Sequence, residues 1–481
     1  MISEERTDCK PEGREVVIFG TGEGGRMAKW QLEDFGCRVI AFSDNNQAKW
    51  GTAIEDVPVI SPAELLNRNA AIVIASTWEQ EIAQQLTDMG MGERIVGKEE
   101  FEERYVREHA EEYTDIFEWR PDENKPLTIV FGLDYGLYKG GVESWAYTVA
   151  DEFVKRGYRI KFLTCENSDP APERFAKDTY YLNMRGKGYC KGLKDTIDAI
   201  MENAPCVMID SWQSMSMVAA AIVKKQNPQA LCRLIEIVHN DLPRLFRRIQ
   251  VFEEWIDVCM GVSRDINTYL NREYHVPEEK IGYKESPVNY GSMERTWTIN
   301  PDEPVRIGYA ARLVKSQKRA DLLIPLIQKL IEKNVNFSME IAGDGDLAEK
   351  LQNFVEEQQL EQRVRLTGFV PREQMNAFWL KQDIFVNLSE YEGVCLSLLE
   401  SIGNGCVPVM TKTAGSTEFV LDDNGFICEV GALDAIADRI AYLAAHRDEM
   451  QTRGKCGMER TRARCSSKAY VDYILKRSGM Q

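Results

Sequence analysis

Residues 389–408 read SEYEGVCLSLLESIGNGCVP and place two glutamates eight residues apart across a predicted strand-to-helix junction. The apolar run at 384–388 predicts a strand that ends before Glu392, and the periodicity after it predicts a helix in which Glu400 lies about two turns along. The first backbone N–H groups of this helix, at 394–397, have no intrahelical partner and form a site for an anion. By itself, the pair also fits one surface glutamate and one helix glutamate.

A second stretch, about eighty residues upstream, supplies positive charge. The predicted strand VRIGYA at 305–310 runs into ARLVKSQKRADLL, so Arg312 and Lys318 follow the end of a strand. Ligands of open α/β sheets bind at that edge, and two cations there can stabilise a diphosphate as its bond to a sugar breaks. We therefore expect a nucleotide-sugar site in which one carboxylate contacts the sugar and the other contacts the ribose hydroxyls.

The order of these and further motifs resembles that of the retaining, family-4-type glycosyltransferases (glycosyl transferases group 1). The resemblance runs from about residue 127 to the C-terminus, and an ordered set of motifs is more specific than any single member. The motifs are GGVESWAYTVADEF (140–153), IVHND (237–241), ARLVKSQK (311–318), IAGDGDL (341–347), LTGFVPREQM (366–375), EGVCLSLLE (392–400) and AGSTEFVLDDNGF (414–426).

The resemblance implies an α/β protein with the GT-B fold, in which two Rossmann-like lobes enclose a cleft. Here a small Rossmann-like α/β domain precedes the two lobes. We expect a Rossmann-like N-terminal domain at 1–97, an acidic helical linker at 98–123, an acceptor lobe at 124–300, a donor lobe at 301–456 and a C-terminal crossing helix at 457–481.

The resemblance also implies which residues hold the donor. Arg312 and Lys318 would bind the diphosphate, and Glu400 would bind the ribose. The remaining donor-binding positions are Gly141, Val370, Gly393, Val394, Cys395 and Leu396. A metal ion is not required by this scheme, because the two cations and the helix start already supply positive charge.

Two further positions match the catalytic residues of the resembled family. His239 follows the predicted strand LIEIV and would lie beside the donor sugar, and Glu392 would contact that sugar. A histidine at a strand end is alternatively a hydrogen-bonded scaffold residue. Val394 and Cys395 depart from the family pattern, which often has a bulky residue and a glycine there, and this bears on the choice of donor sugar.

The N-terminal segment carries a dinucleotide-type turn. Gly20, Gly22 and Gly25 fit G-x-G-x-x-G after a predicted strand, and Asp44 follows about twenty residues later. The segment resembles the small Rossmann-like domain at the front of some sugar acyltransferases and sugar-modifying enzymes, which implies a fold but no reaction. Only half of a dinucleotide fold fits before residue 97, so tight strand–helix packing is favoured over a bound NAD.

Two alternative functions therefore stay open. An NAD-dependent or nucleotide-sugar-dependent oxidoreductase or epimerase would act through the N-terminal domain. A non-catalytic sugar-binding scaffold would use the GT-B frame alone.

The acidic segment KEEFEERYVREHAEEYTDIFEWRPDE, at 98–123, repeats an apolar or aromatic side chain every fourth residue. This spacing predicts a helical stripe that packs on a neighbouring domain. The stripe consists of Phe101, Tyr105, His109, Tyr113 and Phe117. Because every proposed site residue of the transferase lies after residue 140, we expect a chain starting near 123 to fold and cleave donor alone.

Amino-acid composition narrows the classes of protein to which this chain can belong. The 481 residues, 44% of them hydrophobic, suffice for about three domains, and a net charge of −17 argues against a protein that wraps nucleic acid. No run of eighteen apolar residues or signal peptide is present, so we expect a cytoplasmic location, with peripheral contact to the inner face of the membrane left open. Expected partners are a nucleotide sugar and a glycan, lipid-linked or protein acceptor.

Metal-ligand spacing is not apparent in the sequence. The twelve cysteines lack any C-x-x-C pair, and four scattered histidines predict no structural zinc site. The acidic pairs Asp344/Asp346 and Asp422/Asp423 are interpreted as turn residues. We expect reduced thiols and no required cofactor.

Overall fold

The computed structural model describes residues 14–76, 78–122, 124–134, 136–137, 140–184, 186–211, 215–291 and 294–480. These residues form three mainly parallel sheets whose strands alternate with helices along the chain. The predicted α/β class is therefore confirmed. The described residues divide into two compact units, one of 14–137, 159–234 and 248–257, and the other of 140–158, 235–247 and 258–480.

The N-terminal sheet has five strands in the order β3-β4-β2-β1-β5, and β3 is the antiparallel edge strand. Its strands are β1 (Glu15–Phe19), β2 (Arg38–Ser43), β3 (Ala53–Ile54), β4 (Val57–Ile60) and β5 (Ala71–Ile74). Helix α1 (Glu23–Asp34) joins β1 to β2, and α2 (Glu79–Asp88) follows β5. The apolar core on one face of this sheet includes Val17, Ile72 and Leu86.

The acidic segment forms α3 (Lys98–His109) and α4 (Thr114–Glu118). The Tyr105 ring stacks on Phe35 with centroids 4.6 Å apart, so the predicted stripe does pack on the N-terminal domain. Phe117 is the exception, since 63% of its surface is exposed. Lys225 and Asn227, about a hundred residues later in the chain, donate hydrogen bonds to backbone carbonyls of this segment.

The second sheet has seven strands in the order β12-β11-β10-β9-β6-β7-β8. Strands β6 and β9 are buried along their whole length, as expected for the apolar centre of a parallel sheet. The strands are β6 (Thr128–Leu133), β7 (Arg159–Cys165), β8 (Thr179–Leu182), β9 (Cys206–Asp210), β10 (Leu231–Val238), β11 (Val258–Gly261) and β12 (Ile281–Gly282). The helices are α5 (Gly141–Lys155), α6 (Tyr189–Glu202), α7 (Met215–Gln226), α8 (Pro243–Phe252) and α9 (Arg264–Arg272).

The third sheet has six strands in the order β15-β14-β13-β16-β17-β18, and its named pairs are parallel. The strands are β13 (Val305–Ala310), β14 (Phe337–Ala342), β15 (Val364–Gly368), β16 (Ile384–Asn387), β17 (Val407–Thr411) and β18 (Phe426–Cys428). The helices are α10 (Leu323–Glu332), α11 (Ala348–Glu357), α12 (Arg372–Trp379), α13 (Leu396–Gly403), α14 (Ser416–Phe419) and α15 (Leu433–Ala445).

Two helices close the chain, α16 (Arg447–Arg464) and α17 (Ser467–Arg477). The segment 457–481, predicted as one crossing helix, contains the end of α16 and all of α17. Helix α17 packs on α5, where Arg156 Nη1 donates to Asp472 Oδ1 at 2.7 Å. In the part of the chain that the structure describes, we find no helix with the length and apolar character needed to cross a membrane.

Candidate functional site

Glu392 forms a buried ion pair with Lys318. The lysine Nζ donates to Glu392 Oε1, and Ser389 Oγ donates to the same oxygen at 2.8 Å. Glu392 is only 6% exposed. The structure therefore brings together the lysine predicted for the diphosphate and the glutamate predicted for the sugar, at the end of β16 where ligands of parallel sheets bind.

The helix after Glu392 begins later than the sequence predicted. Helix α13 starts at Leu396, and Cys395 before it has extended backbone with φ −72° and ψ 111°. The expected helical N–H groups at Val394 and Cys395 therefore precede the helix, and Glu400 lies just over one turn into it. Cys395 stays extended before the helix, and at Gly393 the backbone passes so close to the His239 carbonyl oxygen that a Cβ atom would clash with it.

His239 directly follows β10 and meets the loop that carries Glu392. Its imidazole packs edge-on against the Trp145 indole, with centroids 4.9 Å apart. Burial lowers the pKa of His239 to about 3, so the ring is neutral at physiological pH. Among the described residues, Nε2 has no hydrogen-bond partner. His239 therefore lies next to the loop that carries Glu392, and its Nε2 atom is buried.

Glu400 is separate from the Lys318–Glu392 pair. It lines a small cavity together with Ser144, Asn289, Arg372 and Leu396. Burial raises the pKa of Glu400 to about 7, while the Arg372 charge and the Trp379 indole act in the opposite direction. Arg372 was not predicted as a site residue. In the sequence, it is marked only by its position as the first residue of a helix, directly after Pro371.

Arg312 lies on the exposed loop after β13. Its Nη2 donates to Gln317 Oε1 at 3.1 Å, and Gln317 has a left-handed φ of 63°. The loop of Gly343 and Gly345 packs against this segment. Leu313 N donates to Asp344 O at 2.8 Å, and a Cβ on Gly343 would clash with the backbone of Ala311. Glycine is thus required at position 343 so that its backbone can pack against the loop that carries Arg312.

The start of α5 adjoins the start of α13. A Cβ atom on Gly141 would lie 3.8 Å from Leu396 Cδ1. Glu143, the third residue of α5, is buried, and its role was not predicted from the sequence. Val370 and Val394, which the sequence predicted to bind the donor, are half-buried and pack against the apolar cluster around Leu398.

The N-terminal glycine turn serves backbone packing at two of its three positions. Gly20 has φ 123°, and a Cβ on it would lie 2.5 Å from Ala75 O. A Cβ on Gly25 would clash with the Gly20 carbonyl, whereas Gly22 has open space. These contacts agree with the strand–helix packing that the sequence favoured.

Asp44, the candidate nucleotide-binding acid that follows the glycine turn, is hydrogen-bonded within its own domain. Lys49 Nζ donates to Asp44 Oδ2 at 2.9 Å, and Thr21 Oγ1 donates to the same oxygen. Burial alone would raise the pKa of Asp44, but these hydrogen bonds outweigh it and lower the pKa. The carboxylate is therefore held charged within the domain.

The acidic pairs behave as surface or turn residues. Asp344 and Asp346 are exposed. Asp423 binds Arg460 through both oxygens, and this hydrogen bonding lowers its pKa to about 2. Within the described ranges, His, Cys, Asp and Glu side chains form no group of three or more that could hold a metal ion.

Comparison with known proteins shows two family matches. Residues 294–460 match the family model of glycosyl transferases group 1, and residues 12–96 match that of the C2185-like N-terminal domain.

Curated relatives match parts of the chain. One subunit of the Arabidopsis thaliana phosphatidylinositol N-acetylglucosaminyltransferase is 30% identical over 169 residues, 34% of this chain and 38% of the relative. The Homo sapiens protein of the same name is 29% identical over 316 residues, 60% of this chain and 63% of the relative. The poly(ribitol-phosphate) alpha-N-acetylglucosaminyltransferase of Staphylococcus aureus (strain COL) is 30% identical, over 28% of each chain. The chain thus spans less than two thirds of each relative.

Solved structures match over greater lengths. Anabaena HepE in complex with UDP-glucose gives a TM-score of 0.61 at 15% identity, with 74% of this chain and 100% of that chain covered. A Staphylococcus aureus TarM variant in complex with fondaparinux, alpha-GlcNAc-glycerol and UDP gives 0.52 at 14% identity, with 97% and 99% covered. The chain therefore has the GT-B fold, with a glycosyl transferases group 1 domain at residues 294–460 and a C2185-like N-terminal domain at residues 12–96.

Proposed function

We propose that the protein is a retaining glycosyltransferase that moves a sugar from a UDP-linked donor to a hydroxyl of a glycan or polysaccharide acceptor. The observation that carries this proposal is the Lys318–Glu392 ion pair, placed next to the start of α13 and to His239. A cation and a carboxylate meet at a strand end beside a neutral histidine, and binding a sugar and its leaving diphosphate requires groups of these kinds.

The donor would be held by cationic side chains, by backbone groups and by a carboxylate. Arg312 and Lys318 would face the diphosphate, and the uncapped backbone N–H groups at the start of α13 would add positive potential. Glu400 would accept hydrogen bonds from the ribose hydroxyls, and the backbone at Val370 would meet the nucleobase. Bond breaking transfers negative charge to the phosphate oxygen, which the two cations stabilise without a metal.

Glu392 is suited to position the sugar. Its carboxylate already accepts from Lys318 and Ser389, and a hydrogen-bonded, ion-paired carboxylate is a weak nucleophile. We therefore assign it contacts with sugar hydroxyls, together with neutral His239. Retention follows if the acceptor oxygen attacks the face from which the diphosphate leaves, and the acceptor proton then passes to the departing phosphate oxygen.

The similar proteins support the choice of donor and acceptor class. Three matched relatives are named as N-acetylglucosaminyltransferases, and another is named as a putative colanic acid biosynthesis glycosyltransferase, WcaL of Escherichia coli (strain K12). HepE was solved with UDP-glucose, and the pneumococcal O-GlcNAc transferase GtfA with UDP and GlcNAc. These names favour a UDP-sugar and a glycan-type acceptor.

The test is a donor panel. The protein is incubated with UDP-, GDP- and ADP-sugars, with and without acceptor extracts, and released nucleoside diphosphate is measured while NAD(H) binding is assayed in parallel. We expect UDP release, and an anomeric proton coupling in the product that matches the donor configuration. Absence of release from every donor would support a scaffold, and NAD(H) binding with no release would support an oxidoreductase.

A further inference from the structure

Glu143 places a buried carboxylate at the start of α5. Helix α5 begins after Gly140, which has extended backbone and provides no side-chain cap. Glu143 is 7% exposed, and a Cβ on Gly140 would lie 2.5 Å from Glu143 Oε2. Within the described part of the chain, the hydrogen-bond donor that faces this carboxylate is its own backbone N–H. The side chain thus folds back onto the uncapped helix start.

The surroundings of Glu143 are positive. The helix start carries a partial positive charge from its unpaired N–H groups, and the Arg312 guanidinium acts on Glu143 from the loop after β13. Gly141 also brings α5 next to Leu396, where α13 begins. Glu143 thus lies at one helix start, next to a second one, and within the electrostatic influence of Arg312.

The Glu143 carboxyl group loses its proton less readily than an exposed glutamate does. Burial raises the pKa of its carboxyl group to about 7, although the backbone N–H and Arg312 oppose this effect. A second anion at the same helix start would raise it further, because like charges at short range disfavour ionisation. A protonated carboxyl group could then donate a hydrogen bond to that anion.

We infer that Glu143 is a displaceable anion at the diphosphate site: the donor diphosphate replaces it at the start of α5, and Glu143 takes up one proton from solvent. This inference rests on the proposed function. The charge balance is a carboxylate plus a proton giving a carboxyl group, with no other bond made or broken. Glu143 would act as a positioning residue that links donor binding to pH, so affinity for the diphosphate falls as pH rises above 7.

The experiment is calorimetric titration of the whole protein with UDP at pH 8.0 in two buffers of different ionisation enthalpy. At this pH a terminal phosphate, with a second pKa of about 6, is already ionised, so proton uptake reports the protein. We expect wild-type protein to take up about half a proton or more per UDP, and E143Q to take up clearly less. E143Q should also bind UDP at least about threefold more tightly.

The control is E349Q, the same substitution at an exposed first-turn position of α11, which should bind UDP as wild type does. Equal proton uptake in wild type and E143Q would overturn the inference while leaving the proposed function intact. Wild-type protein that binds UDP without proton uptake would overturn it whether or not E143Q folds. Failure of wild type to bind UDP, GDP or ADP would instead overturn the proposed function, and the inference with it.

Discussion

Arg248 of α8 forms a buried ion pair with Glu102 of α3. The Arg248 Nη2 atom donates to Glu102 Oε2, and Gln31 of α1 donates to the other carboxylate oxygen. Glu102 is fully buried, and its fourth neighbour along α3, Lys98, lies 3.9 Å away. One carboxylate thus joins the N-terminal domain and the acidic segment to α8, which argues against the expectation that a chain starting near residue 123 is independent.

Replacing Glu102 by alanine should destabilise the protein by about 3–5 kcal/mol, because it leaves the buried Arg248 charge without this carboxylate. Urea unfolding followed by circular dichroism measures the change. Glu103→Ala is the matched control, since Glu103 forms an ion pair with half-exposed Arg107 and should lose less than about 1 kcal/mol. Equal losses in both variants would show that the buried pair contributes no more stability than the exposed one. A stable, active chain starting at residue 124 would support the expectation that this part of the protein folds and cleaves donor alone.

Lys318→Ala should lower kcat/KM at least tenfold. The variant removes a cation from the proposed leaving group, an effect of roughly 3 kcal/mol, and also removes the partner of Glu392. Initial rates of UDP release measure it, with Lys350→Ala on the exposed face of α11 as control. A Lys318→Ala enzyme with unchanged rates would remove this lysine from the site.

Arg312→Ala should have an effect of the same order on kcat/KM and should also weaken the binding of free UDP. Arg312 is exposed and bonds to Gln317, so its removal should leave the free energy of unfolding within about 0.5 kcal/mol of wild type. Calorimetry with UDP and urea unfolding separate the two effects. Loss of stability without loss of affinity would contradict a ligand role.

Glu400→Leu and Glu392→Gln should separate nucleotide binding from turnover. Glu400→Leu leaves the ribose hydroxyls without their acceptor and should weaken UDP binding by about 1–3 kcal/mol. Glu392→Gln should lower kcat with little change in UDP affinity, because its proposed contacts are to the sugar. Titration with UDP and initial-rate kinetics give both quantities, and the reverse pattern would exchange the two roles.

Glu400 should also make stability depend on pH. Burial raises its pKa from 4.5 to about 7, so the folded protein binds more protons than the unfolded chain between these values. The stability contributed by this group is present below pH 4.5 and is lost as pH rises through 7. Glu400→Gln should therefore be more stable than wild type by about 1–3 kcal/mol at pH 8, and this difference should vanish near pH 4.5. Urea unfolding at both pH values tests the sign.

Activity should survive excess chelator, and added Mg²⁺ or Mn²⁺ should change the rate by less than about threefold, which is under 1 kcal/mol in barrier. Arg312, Lys318 and the start of α13 supply the positive potential that a divalent ion otherwise brings. UDP release measured before and after dialysis against chelator tests this. An absolute Mn²⁺ requirement would direct attention to Asp344 and Asp346, because Asp423 is already bound by Arg460.

The sequence alone determined the elements and the residue types of the site. Apolar runs such as 384–388 and 305–310 predict strands through local pattern, and a helix was predicted in the segment that contains α17. Motif order was enough for the GT-B expectation. These features depend on neighbours along the chain, so they can be predicted without knowledge of the tertiary structure.

Only the tertiary structure decided which charges meet. Lys318 and Glu392 are 74 residues apart, and Arg248 and Glu102 are 146 apart, so no local pattern encodes their pairing. The start of α13 at Leu396 lies beyond a close contact between Gly393 and the His239 carbonyl, which belong to distant segments. Burial of Glu143 likewise depends on what covers the start of α5, and burial is what makes a carboxyl group titrate near neutral pH.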